Sequence, residues 1–140
     1  MHTEIPIKVN AWVDEGVASL VTALNEIDGI LTLDSCEHGP MGQAYVFFTY
    51  GQDWKELAAL IQEISNLLSA VVRYGYSIRL EWLGTNVTPR AQVLVDPEHA
   101  ALLADAITQS SPELNRRMRR SVGDRRRKAP HRLKGCSGRL

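Results

Sequence analysis

The chain has 140 residues and a formal net charge of zero, a length that suits one domain with its own hydrophobic core. No segment reaches the roughly 18 unbroken apolar residues of a membrane span, and the first residues lack the basic start and apolar run of a secretory signal, so we expect a cytoplasmic protein. Two cysteines, Cys36 and Cys136, are too few for a disulfide-rich scaffold.

Hydrophobic periodicity divides residues 5–109 into strands and helices. The predicted elements are, in chain order, a strand at 5–13, a helix at 15–27, strands at 30–34 and 44–50, a long helix from 54 that Gly75 ends, strands at 78–82 and 91–95, and a helix from 97 to about 109. The strands at 30–34 and 44–50 enclose a glycine-rich turn and fit a β-hairpin.

Capping residues support the helix positions. Asp14 is predicted to cap the first helix. Asp53 caps the second helix, and Glu56 three positions later completes a capping box. Asp96 followed by Pro97 predicts the start of the third helix.

The element order is β-α-β-β-α-β followed by β-α. This order predicts an α+β domain over residues 1–110, with the ferredoxin-like split βαβ arrangement and an added C-terminal strand and helix. We expect a mostly antiparallel sheet with the helices packed on one face. Such a domain can form a homodimer through the edge of its sheet.

The neutral total charge hides two parts of opposite sign. Residues 1–112 carry 5 basic and 14 acidic side chains, a net charge of −9, and residues 113–140 carry 11 basic and 2 acidic side chains, a net charge of +9. A basic end beside an acidic body either binds phosphate backbones or folds back on the body. Composition does not separate these interpretations.

Residues 111–140 are predicted to form a basic tail. Leu114, Met118 and Val122 recur at i, i+4 and i+8 and predict a short helix that starts at Ser111, while the residues from Gly123 onward have too few apolar side chains to offset the entropy of ordering them. We therefore expect a flexible end. The candidate nucleic-acid-binding residues of the tail are Arg116, Arg117, Arg119, Arg120, Arg125, Arg126, Arg127 and Lys128.

The candidate ligand site is the loop after the second predicted strand, where a thiol, an imidazole and two carboxylates lie close together in sequence. Alternation in an extended segment places Asp34, Cys36 and His38 on one face. Neighbouring side chains of one loop rarely form the fixed geometry of a catalytic triad, so we favour ligand binding over cysteine catalysis. The candidate residues are Asp34, Ser35, Cys36, Glu37, His38 and Gly39.

We predict neither a metal nor a cofactor. Cys36 and His38 could combine with His131 and Cys136, but neither pair has the spacing of zinc ligands. The aromatic residues are assigned to the core or to the faces of the sheet. Trp12 is an interface residue, a ligand platform or a residue covered by another part of the chain.

Two resemblances bear on function. The segments Asn10–Gly16, Leu24-Asn25, Gly29-Ile30, Thr32-Leu33 and Ser35–Glu37 resemble a group of small uncharacterised bacterial and phage proteins, over about residues 5–108. That resemblance implies one compact domain and no particular activity.

A second, local similarity is to the wybutosine-synthesising tRNA methyltransferase family, whose Ser-Ser-Cys-Ser-Gly-Arg signature shares the Ser35-Cys36 step. Glu37 and His38 stand where that family has Ser and Gly, and no arginine follows.

These observations predict a small cytoplasmic binding module of unknown ligand. Two alternatives stay open: an RNA-modifying enzyme whose Ser35-Cys36 loop faces the substrate, and a nucleic-acid-binding accessory protein that acts through its basic tail.

Overall fold

The computed structural model describes residues 4–7, 11–70, 72, 75–84 and 87–128. Its elements are β1 (Glu4–Ile7), β2 (Ala11–Asp14), α1 (Glu15–Asn25), β3 (Ile30–Cys36), β4 (Ala44–Tyr50), α2 (Trp54–Leu68), β5 (Tyr76–Glu81), β6 (Arg90–Val95), a 3-10 turn (Pro97–His99) and α3 (Ala100–Lys128). The predicted α+β class is confirmed.

Four strands form one antiparallel sheet in the order β3-β4-β6-β5. The arrangement is roughly ferredoxin-like, with α1, α2 and α3 forming a core with the sheet. In a split βαβ arrangement the strand before the first helix lies inside the sheet. Here the strand before α1 is β2, which does not belong to the four-stranded sheet, and β6 lies between β4 and β5.

The first predicted strand, at 5–13, is wrong. The chain forms two short strands instead, β1 and β2, which pair antiparallel in a separate two-stranded sheet. Ile5 pairs with Val13 and Ile7 with Ala11, so these four residues share a face in the hairpin just as they would in one long strand. Alternation therefore does not distinguish the two structures. The side chain of Trp12 lies outside the described part of the chain.

The second helix begins where the sequence predicts. The Asp53 carboxylate accepts a hydrogen bond from the backbone N–H of Glu56 at 2.8 Å, and the Glu56 carboxylate accepts one from the N–H of Gln52 at 3.3 Å. The helix ends at Leu68 rather than near Gly75. The buried side chain of Val72 fills the core from the connection after the helix, which explains why the apolar pattern continues beyond the helix end.

The third helix does not end near Gln109 but runs to Lys128, so a separate helix starting at Ser111 is also wrong. Pro112 has no N–H to donate to the carbonyl of Thr108. The hydroxyl of Ser111, a buried residue, donates to that carbonyl oxygen at 3.0 Å. The predicted domain boundary at residue 110 thus falls inside a helix, and the tail beyond residue 128 lies outside the described residues.

The helices cover one face of the four-stranded sheet. On β4 the buried residues are Ala44, Val46, Phe48 and Tyr50, and on β6 they are Ala91, Val93 and Val95. The alternate residues of both strands therefore point to the opposite, open face. Among the described residues, no helix combines the length and the hydropathy needed to cross a bilayer.

Candidate functional site

A β-bulge shapes the end of β3, where the sequence places the candidate site. Thr32 pairs with Phe48 but Ser35 pairs with Val46, so β3 has one more residue than β4 over this stretch. Ser35 lies opposite a buried residue, on the helix side of the sheet. Cys36 pairs with Tyr45, on the open face.

Asp34 and Cys36 both adjoin Tyr45. The Tyr45 hydroxyl donates to the Asp34 carboxylate at 3.4 Å. Burial, followed by the nearby negative charge of Asp34, raises the pKa of Tyr45 above its ordinary value of 10.0. The phenol is therefore neutral over the whole physiological range and acts as a hydrogen-bond donor.

The Cys36 thiol donates to the backbone carbonyl of His38 at 3.3 Å, and the His38 side chain is exposed. A thiol in this arrangement is a hydrogen-bond donor, whereas a catalytic nucleophile is a thiolate. The geometry therefore gives no support for cysteine catalysis.

Glu37 fastens the loop to the start of α1. Its carboxylate accepts a hydrogen bond from the N–H of Gly16 at 2.8 Å, and its own N–H donates to the Asp14 carboxylate at 3.0 Å. Asp14 occupies the N-cap position, but its side chain makes no capping hydrogen bond. A Cβ at Gly16 would lie 2.3 Å from Glu37 Oε2, so glycine is needed for this close approach.

A cavity of about 420 Å³ opens on the uncovered face of the sheet, a volume typical of small-molecule sites. The tight turn between β3 and β4 forms one wall, and the inner strands with β5 form the floor. Of the six predicted loop residues, only Gly39 lines the cavity; Asp34, Ser35, Cys36, Glu37 and His38 do not. The lining residues are Gly39, Pro40, Met41, Gln43, Tyr45, Phe47, Arg79, Gln92 and Leu94.

Strand register brings the polar and aromatic groups of the floor into one row. Phe47 on β4 pairs with Gln92 on β6, which pairs in turn with Arg79 on β5. The neighbouring ring of Tyr45 contacts Phe47 edge to face, with centroids 5.4 Å apart. The row thus combines aromatic rings, an amide and a guanidinium group.

Two arginines near the cavity have different surroundings. Arg90 lies over the Phe47 ring at 4.2 Å, and its Nε donates to Glu81 at 3.2 Å. Arg79 is exposed and makes no ion pair with any of the described residues. Arg79 is therefore the cation that the cavity can offer to an anionic ligand.

The wall of the cavity is a closed turn. The N–H of Gly39 donates to the carbonyl of Gln43 at 2.8 Å, and the N–H of Gly42 donates to the carbonyl of Gly39 at 3.0 Å. A Cβ at Gly39 would lie 2.5 Å from the Gln43 oxygen. The Gln43 amide donates to the Asp96 carboxylate at 3.2 Å, which links this wall to the end of β6.

The predicted basic tail makes ion pairs with the acidic body. Arg117 contacts Glu63 at 3.1 Å, and Arg119 contacts Asp28 at 3.1 Å. Arg116 pairs with Glu113 within α3, and Arg120 is exposed. Arg125, Arg126, Arg127 and Lys128 belong to the last turns of α3, and the structure describes their backbone alone.

Among the described residues, a group of potential metal ligands lies in and just before the 3-10 turn that precedes α3. Ligand atoms of Asp96, Glu98 and His99 lie within 4.8 Å of one another. The Nδ1 atom of His99 is 3.7 Å from the Asp96 carboxylate and is buried without a hydrogen-bond partner in the described part of the chain. The other possible ligand set, Cys36 and His38 with His131 and Cys136, includes two residues that lie outside the described part of the chain.

Sequence reasoning missed the cavity because both faces of β4 are apolar. Phe48 faces the core and Phe47 faces the open side, and alternation alone does not say which face the helices cover. The available signal was Gln92 and Arg79, polar residues that alternate with apolar ones in their strands, but their alignment with Phe47 depends on strand order.

No protein-family model matches the chain, and no curated protein or solved structure matches it either. The two resemblances drawn from short segments therefore stay predictions.

Proposed function

We propose that this protein is a small cytoplasmic binding module whose ligand lies on the open face of the sheet. The ligand we infer is a planar heteroaromatic group that carries a negative charge, the combination found in a nucleotide. The observation that carries this proposal is the 420 Å³ cavity floored by Tyr45, Phe47, Gln92 and Arg79.

The lining groups support this ligand class because each supplies a different part of its recognition. Aromatic side chains on an open sheet stack on bases, and each stacking contact contributes about 1–3 kcal/mol. The Gln92 amide offers a donor and an acceptor to a heterocycle edge. Arg79 can pair bidentately with a phosphate or carboxylate.

Two features keep the site ready for such a ligand. The edge-to-face contact of Tyr45 with Phe47 limits the motion of both rings, and the stacking of Arg90 on Phe47 holds that ring from one side. Rigid aromatic side chains lose little conformational entropy on binding.

The test is a calorimetric or NMR titration of the full chain with free mononucleotides and with short single-stranded oligonucleotides. Both probes contain bases and phosphates, so their relative affinities show whether the site prefers a free nucleotide or a single-stranded nucleic acid. Tyr45→Ala should weaken binding by about 5- to 100-fold, as expected for one lost stacking contact. Arg79→Gln should weaken binding of the phosphate-bearing probes more than binding of the corresponding nucleosides, which lack the phosphate.

Lys55→Gln is the matched control for Arg79→Gln, since it removes an exposed positive charge outside the cavity. It should leave the affinity unchanged. The proposal fails if no probe binds, or if Tyr45→Ala binds as tightly as the unmodified chain.

The charge division of the chain supports a second candidate, a nucleic-acid-binding accessory protein that acts through its basic C-terminal part. Salt-dependent binding should weaken when Arg125, Arg126, Arg127 and Lys128 are all changed to Gln. Arg117→Gln with Arg119→Gln is the comparison, because those two side chains pair with the acidic body. Unchanged binding by the fourfold variant would exclude the tail.

A further inference from the structure

The two edges of the four-stranded sheet differ in how well they are protected. At one edge, β3 contains a bulge, β2 lies against it, and Glu37 ties its end to α1. Bulges and covering segments are devices that prevent pairing of sheet edges. At the other edge, β5 pairs with β6 in an unbroken register over all six of its residues. No described strand pairs with the outer side of β5.

Exposed apolar side chains concentrate at this unprotected edge. Of the nine large apolar side chains exposed in the described residues, five lie in β5, in the segment after it, or stacked on that segment. Clustered exposed apolar residues typically mark an interaction surface. The five are Trp54, Leu80, Trp82, Leu83 and Val87.

The aromatic part of this surface is ordered. The rings of Trp54 and Trp82 stack with centroids 6.1 Å apart, and the indole N–H of Trp82 donates to the carbonyl of Gly84 at 2.8 Å. Trp82 is 56% exposed despite these contacts. The edge therefore presents a preformed apolar surface.

We propose that a second copy of this chain covers this edge, with the two β5 strands paired antiparallel and Leu80 of one copy opposite Leu80 of the other. This register places Arg79 opposite the partner's Glu81 and Glu81 opposite the partner's Arg79. On the other face, Ile78 lies opposite the partner's Trp82. Opposite charges and apolar pairs both stabilise cross-strand neighbours.

Charge complementarity selects this register over its neighbours. A two-fold pairing centred on residue 79 would place two arginines opposite each other, and one centred on residue 81 would place two glutamates opposite each other. Like charges in directly opposite positions destabilise a strand pair. A contact with two-fold symmetry uses the same patch of each copy and closes on itself, which yields a dimer and not a fibre.

The paired sheets would form one continuous eight-stranded sheet with both cavities on the same open face. Each Arg79 lines its own cavity and approaches the partner's Glu81. The pairing itself needs no ligand, so its test is independent of the proposed ligand.

The test is sedimentation velocity of the full chain over a range of concentrations. Arg79→Glu and Glu81→Arg should each weaken dimerisation by about tenfold, because each converts two attractive pairs into repulsive ones. The double variant Arg79→Glu/Glu81→Arg should restore the unmodified affinity, because it exchanges the charges. The double variant also lacks the ion pair between Glu81 and Arg90. Recovery of dimerisation in this variant would therefore show that loss of that ion pair does not cause the weakening seen in Glu81→Arg.

Leu80→Lys should give a monomer, and Leu31→Lys, which alters an exposed leucine on the opposite edge strand, should remain dimeric. Circular dichroism confirms that each variant is folded. A monomer at every soluble concentration overturns the proposal. So does a dimer that Leu31→Lys dissociates and Leu80→Lys does not, or a double variant as weak as the single ones.

Discussion

At the start of α1, Glu37 takes the capping role that the sequence predicts for Asp14. Asp14 has the sequence position of an N-cap, yet Glu37, more than twenty residues away, accepts the hydrogen bond from the first turn. The Asp14 carboxylate instead accepts the N–H of Glu37. A carboxylate at a helix N-terminus is stabilised by the unpaired N–H groups and the helix dipole. Glu37 therefore links the loop after β3 to the first turn of α1.

Glu37→Ala should lower the free energy of unfolding by about 1 kcal/mol, the usual value of a lost N-terminal cap. Urea unfolding followed by circular dichroism measures the change. Asp105→Ala, at an exposed acid in α3, is the control and should change stability by less than about 0.5 kcal/mol. Equal losses in the two variants would contradict the role of Glu37.

The hydroxyl of Tyr45 reports the electrostatics of the loop. Asp34→Asn should lower the raised pKa of Tyr45 only part of the way toward 10.0, because burial is the larger cause. The pKa of Tyr76, which burial alone raises, should not change. NMR of ring-labelled tyrosine across alkaline pH measures both values. An equal shift of both tyrosines, or none in Tyr45, would contradict the assigned contact.

A tyrosine pKa that is higher in the folded state than in the unfolded state makes the folded state less stable at alkaline pH. The stability that neutral Tyr45 contributes is fully present below about pH 10, the ordinary pKa of tyrosine, and is lost as pH rises through the raised value. The folded protein should therefore unfold at lower urea concentration above pH 10 than at neutral pH, and Tyr45→Phe should reduce that dependence.

Among the elements, α3 shows how a helix continues through a proline. Ser111 supplies the hydrogen bond to the Thr108 carbonyl that Pro112 does not make. The second half of the helix is then in position to bury Leu114 and Met118. Asn115 joins this half to the end of α1, because its amide accepts from the N–H of Asp28 at 2.8 Å and donates to the carbonyl of Glu26 at 3.1 Å.

Ser111→Ala should cost about 1 kcal/mol of unfolding free energy because it removes the hydrogen bond to Thr108. The same change should cost less in a Pro112→Ala background, where residue 112 regains an N–H that can donate to the same carbonyl. A double-mutant cycle in urea measures the difference. Equal costs in the two backgrounds would contradict this account.

For the whole molecule, the boundary between acidic body and basic end does not coincide with the boundary of the folded unit. The hydrophobic core includes Leu114 and Met118, and Arg117 and Arg119 pair with acids of α2 and of the loop after α1. Exposed ion pairs contribute little on their own. The apolar contacts therefore account for most of the docking of α3.

A chain ending at Gln109 should lose more than about 4 kcal/mol of stability, or fail to fold, because it lacks two buried side chains that typically contribute about 2–5 kcal/mol each. A chain ending at Arg120 keeps both side chains and should melt close to the full chain. Thermal unfolding compares the three. Similar melting temperatures for all of them would place the folded unit within residues 1–110.

The amino-acid order was enough to identify the fold class, the starts of α1 and α2 and the β3–β4 hairpin. Each of these depends on periodicity or on caps within about four residues, which are local properties of the chain. The cavity, the bulge in β3 and the role of Glu37 were out of reach, because each depends on groups that are distant in sequence. Phe47, Gln92 and Arg79 meet only because β6 lies between β4 and β5, and the hydrophobic pattern of a strand does not specify its neighbours.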